Sequence, residues 1–179
     1  MIHPLAKFLF CPCCGSAHFK VNDFKSKRCT DCGFTFYHNA AAATVAVILN
    51  SRNELLVTRR AFNPAAGTLD LPGGFVDAGE TAEEGIVREV EEETGGKAVV
   101  EKFLFSLPNE YVYSDFIVHT TDLFFLCRLL DETALIAHDD AAALFWIPLA
   151  DISPSNFGLA SIAAGVQRLL ESNISYTPT

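Results

Sequence analysis

A chain of 179 residues, half of them apolar, is long enough for one ordinary catalytic domain with a small appendage. Thirteen basic residues against 22 acidic ones give a formal charge of −9, which argues against extended, nonspecific nucleic-acid binding driven by phosphate attraction. No apolar run approaches the roughly 18 residues needed to span a bilayer, and Met1-Ile2-His3-Pro4-Leu5-Ala6-Lys7 lacks the basic start and apolar core of a signal peptide. A soluble, cytoplasmic protein without a membrane partner is the expectation.

The charge is uneven. Residues 1–39 carry five basic side chains (Lys7, Lys20, Lys25, Lys27, Arg28) against Asp23 and Asp31, a net +3, which leaves −12 on the remainder. A local contact between this segment and an anionic partner stays open, although solubility alone accounts for such lysines. Four of the six cysteines fall here in two knuckles, Cys11-Pro12-Cys13-Cys14-Gly15 and Cys29-Thr30-Asp31-Cys32-Gly33, with fourteen residues between Cys14 and Cys29. That spacing predicts a structural zinc site of Cys11, Cys14, Cys29 and Cys32, with a glycine after each knuckle to permit its turn. A segment this short needs such a staple, because its own core is too small. Two disulfides are the competing explanation, disfavoured by the paired spacing and the missing secretion signal. Cys13 reads as a spectator and Cys127, in an apolar run, as a small buried hydrophobe.

The ribbon so defined ends at residue 39, and a second domain occupies 40–179. Ala40 to Leu49 reads as a strand buried on both faces, Asn50-Ser51-Arg52-Asn53 as a turn, and Glu54 to Arg59 as a second strand. Pro64-Ala65-Ala66-Gly67 is a loop, and Leu69-Asp70-Leu71-Pro72-Gly73-Gly74 a short strand entering a glycine turn. Thr81 to Thr94 predicts a helix: Thr81 and Glu84 form a capping box, and Gly95-Gly96 suit its close. At about 100° per residue, Ala82, Ile86, Val87 and Val90 form its apolar arc, with Glu89 and Glu93 about 20° either side of Ala82. Beyond it, Lys97 to Leu107 and Thr121 to Leu130 read as strands flanking a long loop through Pro108-Asn109-Glu110-Tyr111. Leu144 to Pro148 is a further strand and Ser161 to Glu171 a C-terminal helix. Strands on both sides of a central helix imply an α/β fold, a mixed sheet between helices.

Residues three and four apart are helix neighbours, so Glu89, Glu92 and Glu93 converge on one patch. Clustered carboxylates call for a hard cation such as Mg2+ or Mn2+, which prefers oxygen ligands and completes its shell with phosphates. Glu83, Glu84 and Glu91 read as solvated.

Gly74, five residues, Glu80, seven residues, then Arg88-Glu89-Val90-Glu91-Glu92-Glu93-Thr94-Gly95 resembles the Nudix box, the motif of hydrolases that cleave nucleoside diphosphates linked to another moiety. Gly96 departs from the pattern, which has an aliphatic residue there, and predicts looser packing after the helix. The resemblance implies an α/β/α Nudix sandwich over about residues 40–172. A zinc ribbon ahead of it is similar to the arrangement in relatives of NADH pyrophosphatase and ADP-ribose pyrophosphatase. It also implies that Glu89, Glu92 and Glu93 bind Mg2+ or Mn2+ with the Gly73 or Gly74 carbonyl nearby. Arg88 is expected to orient a helix carboxylate, and Glu80 to support the turn or an outer metal site. Glu110, Asp115, Asp139 and Asp140 are candidate proton acceptors.

The resemblance implies a small nucleotide-derived substrate such as ADP-ribose, a dinucleotide or a nucleotide sugar. Of the further motif that NADH pyrophosphatases carry, Ser106-Leu107-Pro108-Asn109-Glu110-Tyr111 shares only the serine and first proline, so NADH specificity does not carry over. Arg59, Arg60 and Tyr111 are candidate substrate contacts. A non-catalytic nucleotide sensor whose ribbon contacts a macromolecule is the alternative, disfavoured by the intact carboxylate set. A homodimer is compatible with the family.

Overall fold

The protein is described here from a computed structural model, over residues 3–113, 115–132, 135–172 and 174–175. The chain divides into two compact units, Met1–Ala40 and Ala41–Thr179.

In the first unit, β1 (Phe19–Asp23), β2 (Ser26–Cys29) and β3 (Thr35–Tyr37) form an antiparallel sheet in that order. Its apolar content is slight: Cys11, Phe19 and Cys29 are buried, with Phe8 stacked on Phe36 at 5.9 Å. Both knuckles close as the spacing predicts. Gly15 and Gly33 adopt φ of 74° and 77°, which lets their amides reach back to the carbonyls of Cys11 and Cys29 at 2.8 and 3.0 Å.

The second unit is built on β4 (Ala41–Ile48). This strand runs parallel to β8 (Phe116–Leu129), which pairs antiparallel with β7 (Ala98–Tyr113), giving a mixed sheet of order β4-β8-β7. A second, antiparallel sheet holds β6 (Leu69–Asp70), β5 (Glu54–Arg60) and β9 (Ala141–Pro148) in the order β6-β5-β9. Helices α1 (Ala82–Thr94) and α2 (Ala160–Glu171) complete it.

The alternation along β4 makes the sandwich. Val45, Val47 and Leu49 pack in one cluster with Ile162, Val166 and Leu169 of α2. Ala46 and Ile48 pack in another with Ile86 and Val90 of α1. Side chains of a strand point alternately to opposite faces, so one strand buried on both sides holds a helix on each. The approach of α2 is close: a Cβ on Gly165 would lie 2.3 Å from the Phe124 ring.

Helix α1 is capped as its sequence predicts. The Thr81 hydroxyl accepts from the Glu84 amide, the Glu84 carboxylate accepts from the Thr81 amide, and Gly95 closes the helix at φ 68°. The predicted looseness at Gly96 is not found. A Cβ there would lie 2.6 Å from Leu135, whose side chain fills the space that an aliphatic residue would take.

The main departure from the sequence reading is the segment Pro108 to Tyr111. It is not a loop but part of β7, with Pro108 opposite Thr121 and Asn109 opposite Thr120. A proline interrupts a ladder only where its missing N–H faces a partner, and β7 is the outer strand of its sheet.

Candidate active site

Two groups of ligand-type side chains stand out, one in each unit. In the first, the sulfurs of Cys11 and Cys32 lie 3.7 Å apart, as do those of Cys14 and Cys29. All four fall within 4.8 Å of one another, and no other set of His, Cys, Asp or Glu among the described residues does so. Disulfide sulfurs would be about 2 Å apart, whereas sulfurs at about 2.3 Å from a tetrahedral zinc stand roughly 3.8 Å apart. The set fits that ion. The four thiols share their protons unevenly: the backbone amides of Cys32 and then Asp31 pull Cys29 down to about 6, while neighbouring thiols help hold Cys14 and Cys32 above the usual range. Cys13 is exposed and outside the set. Cys127 is buried on β8, and burial pushes its thiol up to about 12, as suits an inert core residue.

The second group lies where the glycine turn meets α1. Arg88 organises it: Nη1 donates to Glu89 at 2.9 Å and to Glu92 at 2.8 Å, Nε to Glu80 at 3.0 Å, and Nη2 to the Phe75 carbonyl at 3.0 Å. Glu80 in turn accepts from the Asp77 amide at 3.1 Å, which ties the turn to the helix. Glu89 packs against the turn so closely that a Cβ on Gly74 would fall 2.5 Å from its carboxyl carbon. Gly73 has the same constraint on its other side, its Cα facing the Thr44 carbonyl at φ 151°. The Gly74 carbonyl accepts from the Thr44 amide at 2.8 Å, which fixes the turn on β4.

Glu93 is different from its neighbours. It is 8% exposed, and among the described residues its carboxylate accepts only a 3.3 Å hydrogen bond from the Gly73 amide and pairs with no basic side chain. Burial first, then the negative charge of Asp70, push its carboxyl up to about 9, with Glu89 and Asp140 adding to the effect against the Gly73 amide. Burial likewise raises Glu89, against the pull of Arg88. Glu92 is the exposed member, held by Arg88 on the helix surface. Carboxylates are the ligand type that a hard cation such as Mg2+ or Mn2+ prefers, but the structure does not bring the ligand atoms of Glu89, Glu92 and Glu93 within 4.8 Å of one another, and only Glu93 of the three lines a neighbouring cleft.

This cleft runs between β4, β5, the glycine turn and the β7–β8 hairpin. Arg60 lines it too, committed to Asp70 by an ion pair, to the Pro64 carbonyl at 2.8 Å and to the Tyr111 hydroxyl at 3.3 Å. Tyr111 meets Phe75 edge to face at 6.0 Å. Arg59 does not line the cleft: it donates to the Gly67 carbonyl and lies 5.3 Å from the Phe145 ring, because adjacent strand residues face opposite ways. Of the four candidate proton acceptors only Asp140 lines the cleft. Asp139 is close enough to Glu89 to act on it electrostatically, Glu110 is exposed at 3.9 Å from His119, and Asp115 sits in the hairpin turn at φ 57°. Asp70, Asn109, Thr120, Asp122 and Ser161 were not among the sequence candidates. Their one signal is a charged residue inside each of two apolar strands, Asp70 and Asp122.

Comparison with known proteins gives the same class. The sequence profile of the NUDIX domain matches residues 39–168, so the chain belongs to the Nudix family. It is similar to an ADP-ribose pyrophosphatase of Methanocaldococcus jannaschii, 50% identical over 76 residues, covering 42% of this chain and 40% of that one. It is also similar to the NAD-capped RNA hydrolase NudC of Haemophilus influenzae, 33% identical over 94 residues, covering 52% and 36%. The matches thus span less than half the length of these relatives. Among solved structures, a NUDIX hydrolase from Nitrosomonas europaea superposes with a TM-score of 0.75 at 20% identity over 92% of this chain and 91% of that one, a likeness of fold. Among the described residues no helix is long and apolar enough to cross a membrane.

Proposed function

We propose that the second unit hydrolyses the diphosphate bond of a nucleoside diphosphate linked to another moiety, with Mg2+ or Mn2+ held by Glu89, Glu92 and Glu93 beside Gly74. The observation that carries this reading is Glu93, buried near Glu89, Asp70 and Asp140 and, among the described residues, without a cationic partner. A fold meets the cost of such a group where a bound cation offsets it. When bound, a divalent ion there would neutralise the diphosphate, polarise phosphorus and lower the pKa of a coordinated water.

The chain's own residues supply the positioning. Arg88 fixes Glu89 and Glu92 through one guanidinium nitrogen, so both carboxylates stay in place before substrate arrives. The glycine turn brings backbone against Glu89, which no side chain at position 74 would allow. Asp140, which lines the same cleft as Glu93 and is near enough to act on it electrostatically, is the one of the four candidate acceptors that we assign to take the proton from the attacking water. Arg60 and Tyr111 form the wall on which a phosphate or base rests, with Arg60 held ready by Asp70. In the first unit Cys11, Cys14, Cys29 and Cys32 hold zinc as a closed four-thiolate site, which leaves no open position for catalysis.

The relatives named as an ADP-ribose pyrophosphatase and an NAD-capped RNA hydrolase support a substrate of the ADP-ribose or NAD type. The test is a panel of ADP-ribose, NADH, FAD, dinucleoside polyphosphates and nucleotide sugars with Mg2+ or Mn2+, products read by mass. Two monophosphate-bearing halves are expected. Tight binding of every panel member without products would sink the hydrolase reading in favour of a sensor.

A further inference from the structure

The far end of the cleft holds a carboxylate that the hydrolytic chemistry does not use. Asp122, on β8, lines the cleft and is 4% exposed, yet among the described residues it pairs with no basic side chain. Arg60, the guanidinium in the cleft wall, is taken by Asp70, whose charge interacts with those of both Glu93 and Asp122.

Each oxygen of Asp122 accepts one hydroxyl hydrogen, Oδ1 from Thr120 and Oδ2 from Ser161. Thr120 and Ser161 are themselves 4% and 3% exposed. A carboxylate has about four acceptor positions, so about two remain. Helix α2 does not use them: its first turn reaches Asp122 through the Ser161 side chain alone, and its N-cap, Leu159, has no side-chain cap. A buried carboxylate with neither cation nor full hydrogen bonding is costly to keep. Asp122 lines the cleft together with Leu159, Ile162 and Asn109, the last set opposite Thr120 on the hairpin.

We infer that Asp122, held in orientation by Thr120 and Ser161, is the specificity residue of the cleft and selects a substrate half presenting two adjacent hydrogen-bond donors. That chemistry has two sources: the vicinal hydroxyls of a ribose or the amino-imino edge of a base. A phosphate, all acceptors and negative charge, is turned away from this end. The inference rests on reading the cleft as a diphosphate hydrolase site.

The experiment uses the full chain and two analogue pairs. In the sugar arm, ADP-ribose is compared with an analogue whose distal ribose lacks both vicinal hydroxyls. In the base arm, GDP-mannose is compared with IDP-mannose, which lacks the exocyclic amine. The wild type is expected to favour the donor-bearing member by ~100-fold in kcat/KM in one arm, mostly through KM, because buried polar groups left unpaired reject an analogue strongly. Asp122→Asn is expected to reduce that preference to about threefold or less, since an amide replaces one acceptor by a donor. Absence of preference in both wild-type arms, or its full retention in Asp122→Asn, overturns the inference. Should Asp122→Asn fail to fold, Ser161→Ala, which frees one oxygen but keeps the carboxylate, must weaken the preference, and an unchanged preference overturns it. If the wild type hydrolyses nothing, the hydrolase reading fails by itself. Calorimetric titration of the same four compounds then decides: loss of the donor-bearing member's advantage in Asp122→Asn supports the role, and equal discrimination overturns it.

Discussion

Replacing Glu93 by glutamine separates what the active site costs from what it does. The folded carboxyl sits at about 9 against an ordinary 4.5. Below pH 4.5 both folded and unfolded states carry the proton, and the group costs nothing. Between 4.5 and 9 the unfolded chain has released its proton while the folded one retains it, so each pH unit removes about 1.4 kcal/mol of stability. At pH 7.5 the full effect is on the order of 4 kcal/mol; the raised Asp70 and Glu89 share the strain, so Glu93→Gln should recover ~2–4 kcal/mol. At roughly 2–4 °C per kcal/mol for a unit of this size, the melting temperature in Mg2+-free buffer rises by about 4–16 °C at pH 7.5. At pH 4.5 the variant and the wild type should melt together. Saturating Mg2+ should stabilise the wild type far more than the variant, and hydrolysis by the variant should fall by orders of magnitude. Scanning calorimetry at both pH values, with and without Mg2+, reads all of this. A melting difference independent of pH, or a variant less stable than the wild type at pH 7.5 without metal, would refute the reasoning.

Other expectations follow from close contacts. Gly74→Ala places a methyl within 2.5 Å of the Glu89 carboxyl and should cut kcat by ~100-fold, the usual cost of a misplacement near 1 Å, with the melting temperature almost unchanged. A large loss of stability instead would show that the turn, not Glu89, gives way. Gly165→Ala gains about 1 kcal/mol of helix propensity but drives a methyl to 2.3 Å from the buried Phe124 ring, so a net loss of ~1–3 kcal/mol should appear in urea unfolding. A stabilised variant would mean the helix can shift. Purified protein should carry about one zinc per chain by metal analysis, and Cys29→Ser should lose it together with amide-exchange protection at Phe19, which packs with Cys11 and Cys29. Retention of zinc by that variant would count against the four-thiolate site.

Much of the site was legible because its residues are close in sequence. Helix α1 carries its own caps, and the four candidate side chains Arg88, Glu89, Glu92 and Glu93 fall within six positions, so helical spacing alone nominates them. The knuckles are equally local. What escaped is what the fold assembles from distant segments. Asp122 meets Ser161 across 39 positions, and nothing near either announces the other. Pro108 reads as a loop residue in sequence, and only the sheet order reveals β7 as an outer strand that tolerates it. Arg59 and Arg60 look equivalent in sequence; the bulge between them in the pairing of β5 with β9 and the alternation of the strand send one to Phe145 and the other to Asp70.

The β7–β8 hairpin has a further consequence for how such a cleft diverges. Its ladder fixes Asn109 against Thr120 and Leu107 against Asp122, so two walls of the cleft travel as one piece. Residues added at the tip, beyond Tyr113 and Phe116, would leave that pairing intact. Loss of one residue inside β8 would exchange its two faces, turning Asp122 away and bringing Thr121 or Leu123 to the cleft. A change of length is therefore tolerated by the pairing at the hairpin tip, whereas along its arms only steps of two keep each face where it is.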